Sequence, residues 1–290
     1  MSENLIIFNA RIVTPIGFSA RKGEEMSQLQ IIENGTVEVT KGIITYVGEN
    51  RGEDRDGYYQ HYWHYNARGH CLLPGFVDSH THFVFGGERS EEFSWRLKGE
   101  SYMSIMERGG GIASTVKATR QMNYLKLRSA AESFLKKMST MGVTTVEGKS
   151  GYGLDRDTEL LQLKVMRSLN NAEHKRVDIV STFLGAHGFL LKLHADEIVS
   201  LGGAELAAEL GALSADHLLH ASDAGIRAMA DAGVVATLLP LTAFALKEPY
   251  ARGREMIDAG CAVALATDLN PGSCFSGSIP LTIALACIYM

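Results

Sequence analysis

The pattern of apolar and polar positions changes character near residue 74. Before it, short β-type runs alternate with tight-turn residues. Residues 5–8 and 11–14 are apolar, β-rich runs, and residues 30–33 precede Asn34-Gly35, a pair that predicts a hairpin turn. Residues 36–40 and 43–48 flank Lys41-Gly42 and predict a second hairpin. Segment 51–70 is polar and aromatic; it carries His61 and His64 but no core-strand pattern, and reads as a loop or edge strand. After residue 74, apolar runs at 76–78, 143–146, 177–184, 190–193, 215–219, 234–239 and 262–266 alternate with helical patterns. Leu127, Ala130, Ala131, Phe134, Leu135 and Met138 repeat at helical spacing, as do Leu160, Leu163, Met166 and Leu169. Helices are also predicted over 205–210, 223–232 and 251–259. Repeated strand–helix units imply a parallel sheet, either doubly wound or closed as a β/α barrel. Seven strand candidates stand where a closed barrel takes eight.

Composition adds little beyond exclusions. The 290 residues suffice for a large core, and 46% hydrophobic with 21% charged residues is ordinary for a globular chain. A net charge of -5 argues against a nucleic-acid surface, while leaving room for a small anion held by local cations. No run of apolar residues is long enough for a membrane span, and residues 1–8 do not form a secretory signal. Cys71, Cys261, Cys274 and Cys287 are widely spaced, which fits a reducing cytoplasm.

The predicted strand ends hold the candidate chemistry, as α/β active sites do. The run Pro74-Gly75-Phe76-Val77-Asp78-Ser79-His80-Thr81-His82 ends in two histidines spaced i, i+2. Such residues project to one side of a strand, roughly 6.5–7 Å apart, and suit a divalent metal of the zinc or iron type. Further strand ends bring Glu147 and Lys149, then His187, His194 with Glu197, Asp216-His217, and Asp268. Histidines and an aspartate on separate parallel strands converge only if the sheet curls on itself. Three histidines and one carboxylate then make a mononuclear catalytic site. Lys149 reads equally as a base or anion partner and as a lysine on the surface or behind the site. Gly109-Gly110-Gly111 lacks the Lys-Ser/Thr of a phosphate loop and reads as a mobile loop near the site. Arg89, shortly after the histidine pair, could pair bidentately with a carboxylate.

Together these residues resemble the amidohydrolase superfamily and, within it, the imidazolonepropionases. The blocks that carry the resemblance are residues 74–82, Phe-Gly-Gly-Glu-Arg (85–89), Gly-Gly-Gly-Ile (109–112), Lys-Ser-Gly-Tyr-Gly-Leu (149–154), Ser-Thr-Phe-Leu-Gly-Ala-His (181–187), His-Ala-Asp-Glu (194–197), Ser-Ala-Asp-His (214–217) and Thr-Asp-Leu-Asn-Pro-Gly-Ser (267–273). The His-x-His block marks the superfamily only; the blocks at 149–154, 194–197 and 270–273 are more specific. The resemblance implies a TIM-like (β/α)8 barrel over 74–290 beside a small β-sandwich-like domain over 1–73. It implies hydrolysis of 4-imidazolone-5-propanoate to N-formimidoyl-L-glutamate, the third step of histidine breakdown, by one Zn(2+) or Fe ion in a cytoplasmic homodimer.

By position, His80, His82, His194 and Asp268 are expected to hold the metal. Glu197, His217 and Asp268 are expected to handle protons. Arg89, Tyr152, His187, Glu197, Asn270, Gly272 and Ser273 are expected to line the substrate. The chain departs from the family in two places. Between His187 and Gly188 a strand–helix region is missing, and the chain stops at Met290 before the family's return to the β domain. Leu241 and Leu269 also stand where the family usually has glycine and phenylalanine. The alternatives are another cyclic amide or amidine hydrolase, a nucleobase deaminase of the same superfamily, or a truncated non-catalytic barrel.

Overall fold

The computed structural model describes residues 4–51, 59–100, 102–173, 175–183 and 191–290. It divides into two compact units, Met1–Pro74 and Gly75–Met290. The first holds one five-stranded sheet: β1 (Leu5–Pro15), β2 (Leu29–Thr40), β3 (Ile43–Glu49), β4 (Trp63–Asn66) and β5 (Cys71–Leu72), in the order β3-β2-β1-β4 with β5 also on β1. Strict alternation in β1 buries Ile6, Phe8, Ala10 and Ile12. Lys41 and Gly42 both have positive φ (52° and 78°) and turn the β2–β3 hairpin as expected.

Asn34-Gly35 does not turn a hairpin; it lies inside β2. Gly35 faces both Ala10 and Glu49, so both neighbours of β2 approach it closely. A Cβ there would overlap Ile12 Cδ1, and the register of β1 on β2 shifts at this point. The glycine is needed for close approach, a role a turn-residue rule cannot separate from a turn.

The second unit holds seven parallel strands: β6 (Phe76–Thr81), β7 (Val143–Lys149), β8 (Asp178–Thr182), β9 (Lys192–Ala195), β10 (Ser214–His217), β11 (Val235–Leu238) and β12 (Val263–Leu265). They form two sheets, β6-β7-β8 and β12-β11-β10-β9. A parallel bridge from Thr81 to Leu269 joins them beyond the end of β12. Asp268 N donates to His80 O (3.0 Å) and His82 N to Leu269 O (2.9 Å). Asp78, fully buried beneath, accepts from Thr267 N (3.0 Å) and Thr267 Oγ1 (2.6 Å). The seven strands thus run β8-β7-β6-β12-β11-β10-β9. Lys192 of β9 reaches back to Ser79 O of β6 at 2.8 Å, so the sheet curls round on itself. Among the described residues, β8 and β9 each pair on one side only.

The helices are α1 (Ser90–Leu97), α2 (Tyr102–Glu107), α3 (Gly111–Arg120), α4 (Tyr124–Thr140), α5 (Arg156–Asn170), α6 (Gly203–Glu209), α7 (Asp223–Ala232), α8 (Pro240–Leu246), α9 (Gly253–Asp258) and α10 (Ile279–Tyr289). The long ones start on side-chain caps: Asn123 accepts from Lys126 N, Asp155 from Thr158 N, Ser222 from Gly225 N. Helix α4 buries Leu127, Ala131, Leu135 and Met138 against β7 residues Val143 and Val146, at the spacing of one helix face. A second apolar cluster joins Ala204 and Ala207 of α6 and Ile226 and Met229 of α7 to β9–β11. Gly111 opens α3 and donates its N–H to buried Glu92 Oε1 (2.9 Å), so the triple glycine is a tethered helix start rather than a mobile loop. No described helix is long and apolar enough to cross a membrane.

Candidate metal centre and active site

The strand ends bring four imidazoles together. Ring centroids lie 4.7 Å apart for His80–His194, 5.4 Å for His80–His82, 5.7 Å for His82–His194 and 5.0 Å for His194–His217. Asp268 Oδ1 lies 3.5 Å from His80 Nε2 and 3.8 Å from His82 Nε2. Its other oxygen accepts from Thr242 Oγ1 at 2.8 Å. Donor atoms of His80, His82 and Asp268 lie within 4.8 Å of one another, as do those of His80, His194 and His217.

Strand periodicity alone does not produce this arrangement. Asp216 and His217 are adjacent in β10, yet both reach the site. His217 has φ of 78° and Asp268 of 55°, left-handed conformations that re-aim the side chain where the strand stops.

His80 is fixed by its far side. Its Nδ1–H donates to Asp216 Oδ2 at 2.7 Å, and Asp216 Oδ1 is held by Ser214 Oγ at 2.6 Å. A carboxylate accepts, so Nδ1 carries the hydrogen and Nε2 keeps a lone pair. That Nε2 is buried and has no hydrogen-bond partner among the described residues, as is true of His217 Nδ1. Burial, then the neighbouring His194 and Lys149, hold His80 well below the ordinary imidazole range, and His82 likewise. Burial holds His217 low too, ahead of His194 and Lys149. His194 is pushed down to about 4 by burial against the strand ends and then by Lys149, although solvent reaches its ring. The imidazoles are therefore neutral, the form that coordinates metal.

Burial drives the Asp268 carboxyl up to about 8, with Glu197 and Asp78 adding to the rise. Two donors each about 2.1 Å from a tetrahedral ion stand roughly 3.4 Å apart. The 3.5 Å and 3.8 Å separations at Asp268, the orphaned Nε2 of His80 and the neutral imidazoles all fit a divalent zinc- or iron-type cation.

A prediction on pH follows. A carboxyl raised in the folded state binds its proton more tightly there, so stability falls as pH rises from the unfolded value toward about 8. The depressed histidines act oppositely, losing stability only as pH falls below about 6.5. Between pH 6.5 and 8 the raised carboxyls, Asp268 above all with Glu197 acting in the same direction, therefore set the slope. In chelator-treated protein the Tm should drop across that window, and Asp268→Asn should flatten the slope. An equal slope in both proteins would refute the assignment.

A large cleft of about 1050 Å³ opens over these residues; Arg89, Tyr152, Glu197, His217, Gly272 and Ser273 line it. Tyr152 sits with its ring 5.5 Å from that of His82. Its loop is held by Glu159, which accepts from the N–H groups of Gly151 (2.7 Å), Gly153 (2.7 Å) and Leu154 (2.9 Å). Glu197, shifted upward by burial, stands with Oε1 3.6 Å from His217 Nδ1. Asn270 spends its amide inside its own loop: Nδ2 donates to Asp268 O and Ser273 Oγ, and Oδ1 accepts from the N–H of Gly272 and Ser273 at 2.7 Å each. Arg89 is nearly buried and bound through Nε (2.9 Å) and Nη2 (2.7 Å) to Glu92 Oε2. His187 lies outside the described residues.

Lys149 is only 1% exposed and belongs beneath the histidines, not on the surface. It donates to Glu147 Oε1 at 2.8 Å and stands 3.7 Å from Asp216 Oδ2. Sequence reasoning did not assign Asp216, Thr242, Glu159 or Glu92. Asp216 lies in the Ser-Ala-Asp-His block and could have been suspected there; the other three carry no local signal.

A scan with protein-family models finds no match. The chain is 79% identical to imidazolonepropionase of Bacteroides thetaiotaomicron, with 100% of this chain and 84% of the relative covered. It is 69% identical to imidazolonepropionase of Bacteroides fragilis (100% and 84% covered) and 49% identical to that of Clostridium tetani (99% and 82% covered). The match to the first runs over 348 positions against the 290 residues of this chain, so these relatives carry further residues within it. Among solved structures, a 5-methylcytosine deaminase from Klebsiella pneumoniae is similar at a TM-score of 0.70 and 15% identity, covering 98% of this chain and 80% of that one. Atrazine chlorohydrolase from Arthrobacter aurescens complexed with zinc is similar at a TM-score of 0.60 and 15% identity, covering 98% and 76%. The fold is therefore the β/α barrel shared with these solved enzymes, and the chain belongs to the imidazolonepropionase family.

Proposed function

We propose that this chain hydrolyses 4-imidazolone-5-propanoate to N-formimidoyl-L-glutamate, opening the ring at its amide C–N bond with water. The observation that supports this best is a cluster of neutral imidazoles and Asp268 beside a cleft containing Arg89. His80, His82, His194 and Asp268 would hold one Zn(2+) or Fe ion. When bound, such a cation lowers the pKa of water toward neutrality and polarises a carbonyl.

The remaining work falls to the protein. Asp268 Oδ1, held in place by Thr242, takes a proton from the attacking water. His217 stands beside the same point and hydrogen-bonds the oxyanion that forms at the ring carbonyl. Glu197, its pKa raised by burial, delivers a proton to the leaving ring nitrogen. Arg89 binds the propionate arm and fixes the ring over the metal ligands, with Tyr152 and Ser273 beside it. Asn270 acts by shaping the 268–273 loop. Gly272 gives room to Arg89, since a Cβ there would overlap Arg89 Nη1.

The direct test follows loss of the imidazolone absorbance and formation of N-formimidoyl-L-glutamate with zinc- or iron-loaded protein. No turnover by folded, metal-loaded protein would reject the reading. Arg89→Ala should raise KM about 10- to 100-fold while leaving kcat within a few-fold, as expected for loss of one charge-assisted contact. The cytosine- and guanine-type substrates of a nucleobase deaminase have no carboxylate for Arg89 to meet, so activity on those bases alone would favour the other reading. We also propose a cytoplasmic homodimer, testable by light scattering, and place the relatives' additional residues between β8 and β9. Inserting the relative's segment there should raise the Tm; a loss of folding would argue against that position.

A further inference from the structure

We propose that Asp196 is a positioning residue, which clamps the chain at the end of β9 so that Glu197 is held against His217. This rests on the hydrolase reading above, in which Glu197 delivers a proton. Asp196 is buried and lies between two site residues, His194 and Glu197. Its carboxylate is spent on backbone donors. Oδ1 accepts from Leu201 N (2.9 Å) and Gly203 N (3.0 Å), and Oδ2 accepts from Ala204 N (2.9 Å). Helix α6 begins at Gly203 on a glycine cap, Gly202, that has no side chain to offer. Asp196 supplies the missing acceptor from outside the helix.

The clamp closes a short turn that little else holds. Ile198, Val199 and Leu201 are exposed, so packing does not fix residues 197–202. Among the described residues no hydrogen bond fixes the Glu197 carboxylate either; its Oε1 stands 3.6 Å from His217 Nδ1. His80 and Asp268 differ in this respect, since Asp216 and Thr242 hold their side chains. The aim of Glu197 therefore comes from the backbone beneath it.

That backbone is re-aimed at Asp196, whose φ of 48° is left-handed. It is tied from the side of β10 as well. Asp196 O accepts from His220 N (2.9 Å), and Ala195 O accepts from Leu218 N (2.9 Å). The β9–β10 register sets Ala195 opposite His217. A Cβ on Gly203 would come within 3.0 Å of Ala195 Cα and 3.1 Å of Asp196 N, so the start of α6 packs directly on this turn.

The test is a double-substitution cycle in metal-loaded protein with Asp196→Asn, Glu197→Gln and the pair. Asparagine keeps one acceptor oxygen and turns an NH2 group toward backbone donors, so one side of the clamp opens. Asp196→Asn should lower kcat about 10- to 100-fold, as a misplacement of about 1 Å does, with KM within a few-fold. In the Glu197→Gln background it should cost less than about threefold more, because the group it positions is already gone. Equal losses in both backgrounds would mean that Asp196 acts through the fold or through His194, and would overturn the proposal. So would an unchanged kcat, or a loss of bound metal that matches the loss of kcat. Asp196→Ser, which keeps one neutral acceptor, gives the same comparison should the asparagine variant not fold. A crystal structure of Asp196→Asn gives a readout without turnover: Glu197 Oε1 should move beyond 3.6 Å from His217 Nδ1 while Ala195 stays opposite His217. If wild type hydrolyses nothing but Glu197 moves in this way, the hydrolase reading fails and Asp196 keeps its role. If Glu197 stays in place, the Asp196 proposal fails whatever the activity.

Discussion

Asp268→Asn should lower kcat by about a thousandfold or more, because on the proposed mechanism one substitution removes a proton acceptor and a metal ligand together. The carboxylate faces two ways. Oδ2 accepts from Thr242 Oγ1, and Oδ1 lies 3.5 Å from His80 Nε2. An asparagine of the same size can keep only one of these relations. If its oxygen accepts from Thr242, its NH2 group points at the histidine nitrogens and repels a cation. If it flips, two donors meet at Thr242. Either way, metal content measured by atomic absorption should fall along with kcat. Full turnover by a metal-loaded Asp268→Asn protein would show that neither role belongs to this residue.

Lys149→Met should be the most destabilising single change in the barrel interior, by about 3–5 kcal/mol, the cost of leaving a buried partner charge uncompensated. Glu147 Oε1 accepts from Lys149 Nζ at 2.8 Å and from Thr182 Oγ1 at 2.5 Å. Without Lys149, its nearest cation is Lys192 at 3.5 Å from Oε2. Asp216, which orients His80, loses a cation as well, so metal affinity should weaken beside the urea midpoint. Lys149→Met combined with Glu147→Leu should recover much of the stability, since a well-packed apolar pair can replace a buried ion pair. A urea-derived loss below about 1 kcal/mol for the single variant would show that water or Lys192 already solvates Glu147.

The contrast between what could and could not be read from the sequence has a physical basis. His80 and His82 were legible because strand spacing places i and i+2 on one side, and Asp268 because it follows the last apolar run. Asp216 and His217 were legible as a pair at a strand end but not in their separate tasks, which depend on a left-handed backbone at His217. Helix α1 escaped notice because 90–97 has only Phe93, Trp95 and Leu97 as apolar positions and no side-chain cap. With it went Glu92. Its meaning comes from Gly111, a partner outside the helix that no local pattern can announce. The Asn34-Gly35 misreading has the same root, since crowding by Ile12 and Gly48 is a tertiary fact.

The seam between β6 and β12 has a bearing on how the protein is made. Asp78 and Thr267, which clasp it, are 189 positions apart. Synthesis proceeds at about 5–20 residues per second, so the histidine pair emerges roughly ten seconds or more before its carboxylate partner. During that interval His80 and His82 are exposed imidazoles on a nascent chain, able to bind metal only weakly and without selection. On the proposed metal assignment, the ligand set would be complete only once β12 zips against β6. On that assignment, capture of the ion would be a late event of biosynthesis, and cells short of metal should accumulate chains left unlatched at this seam.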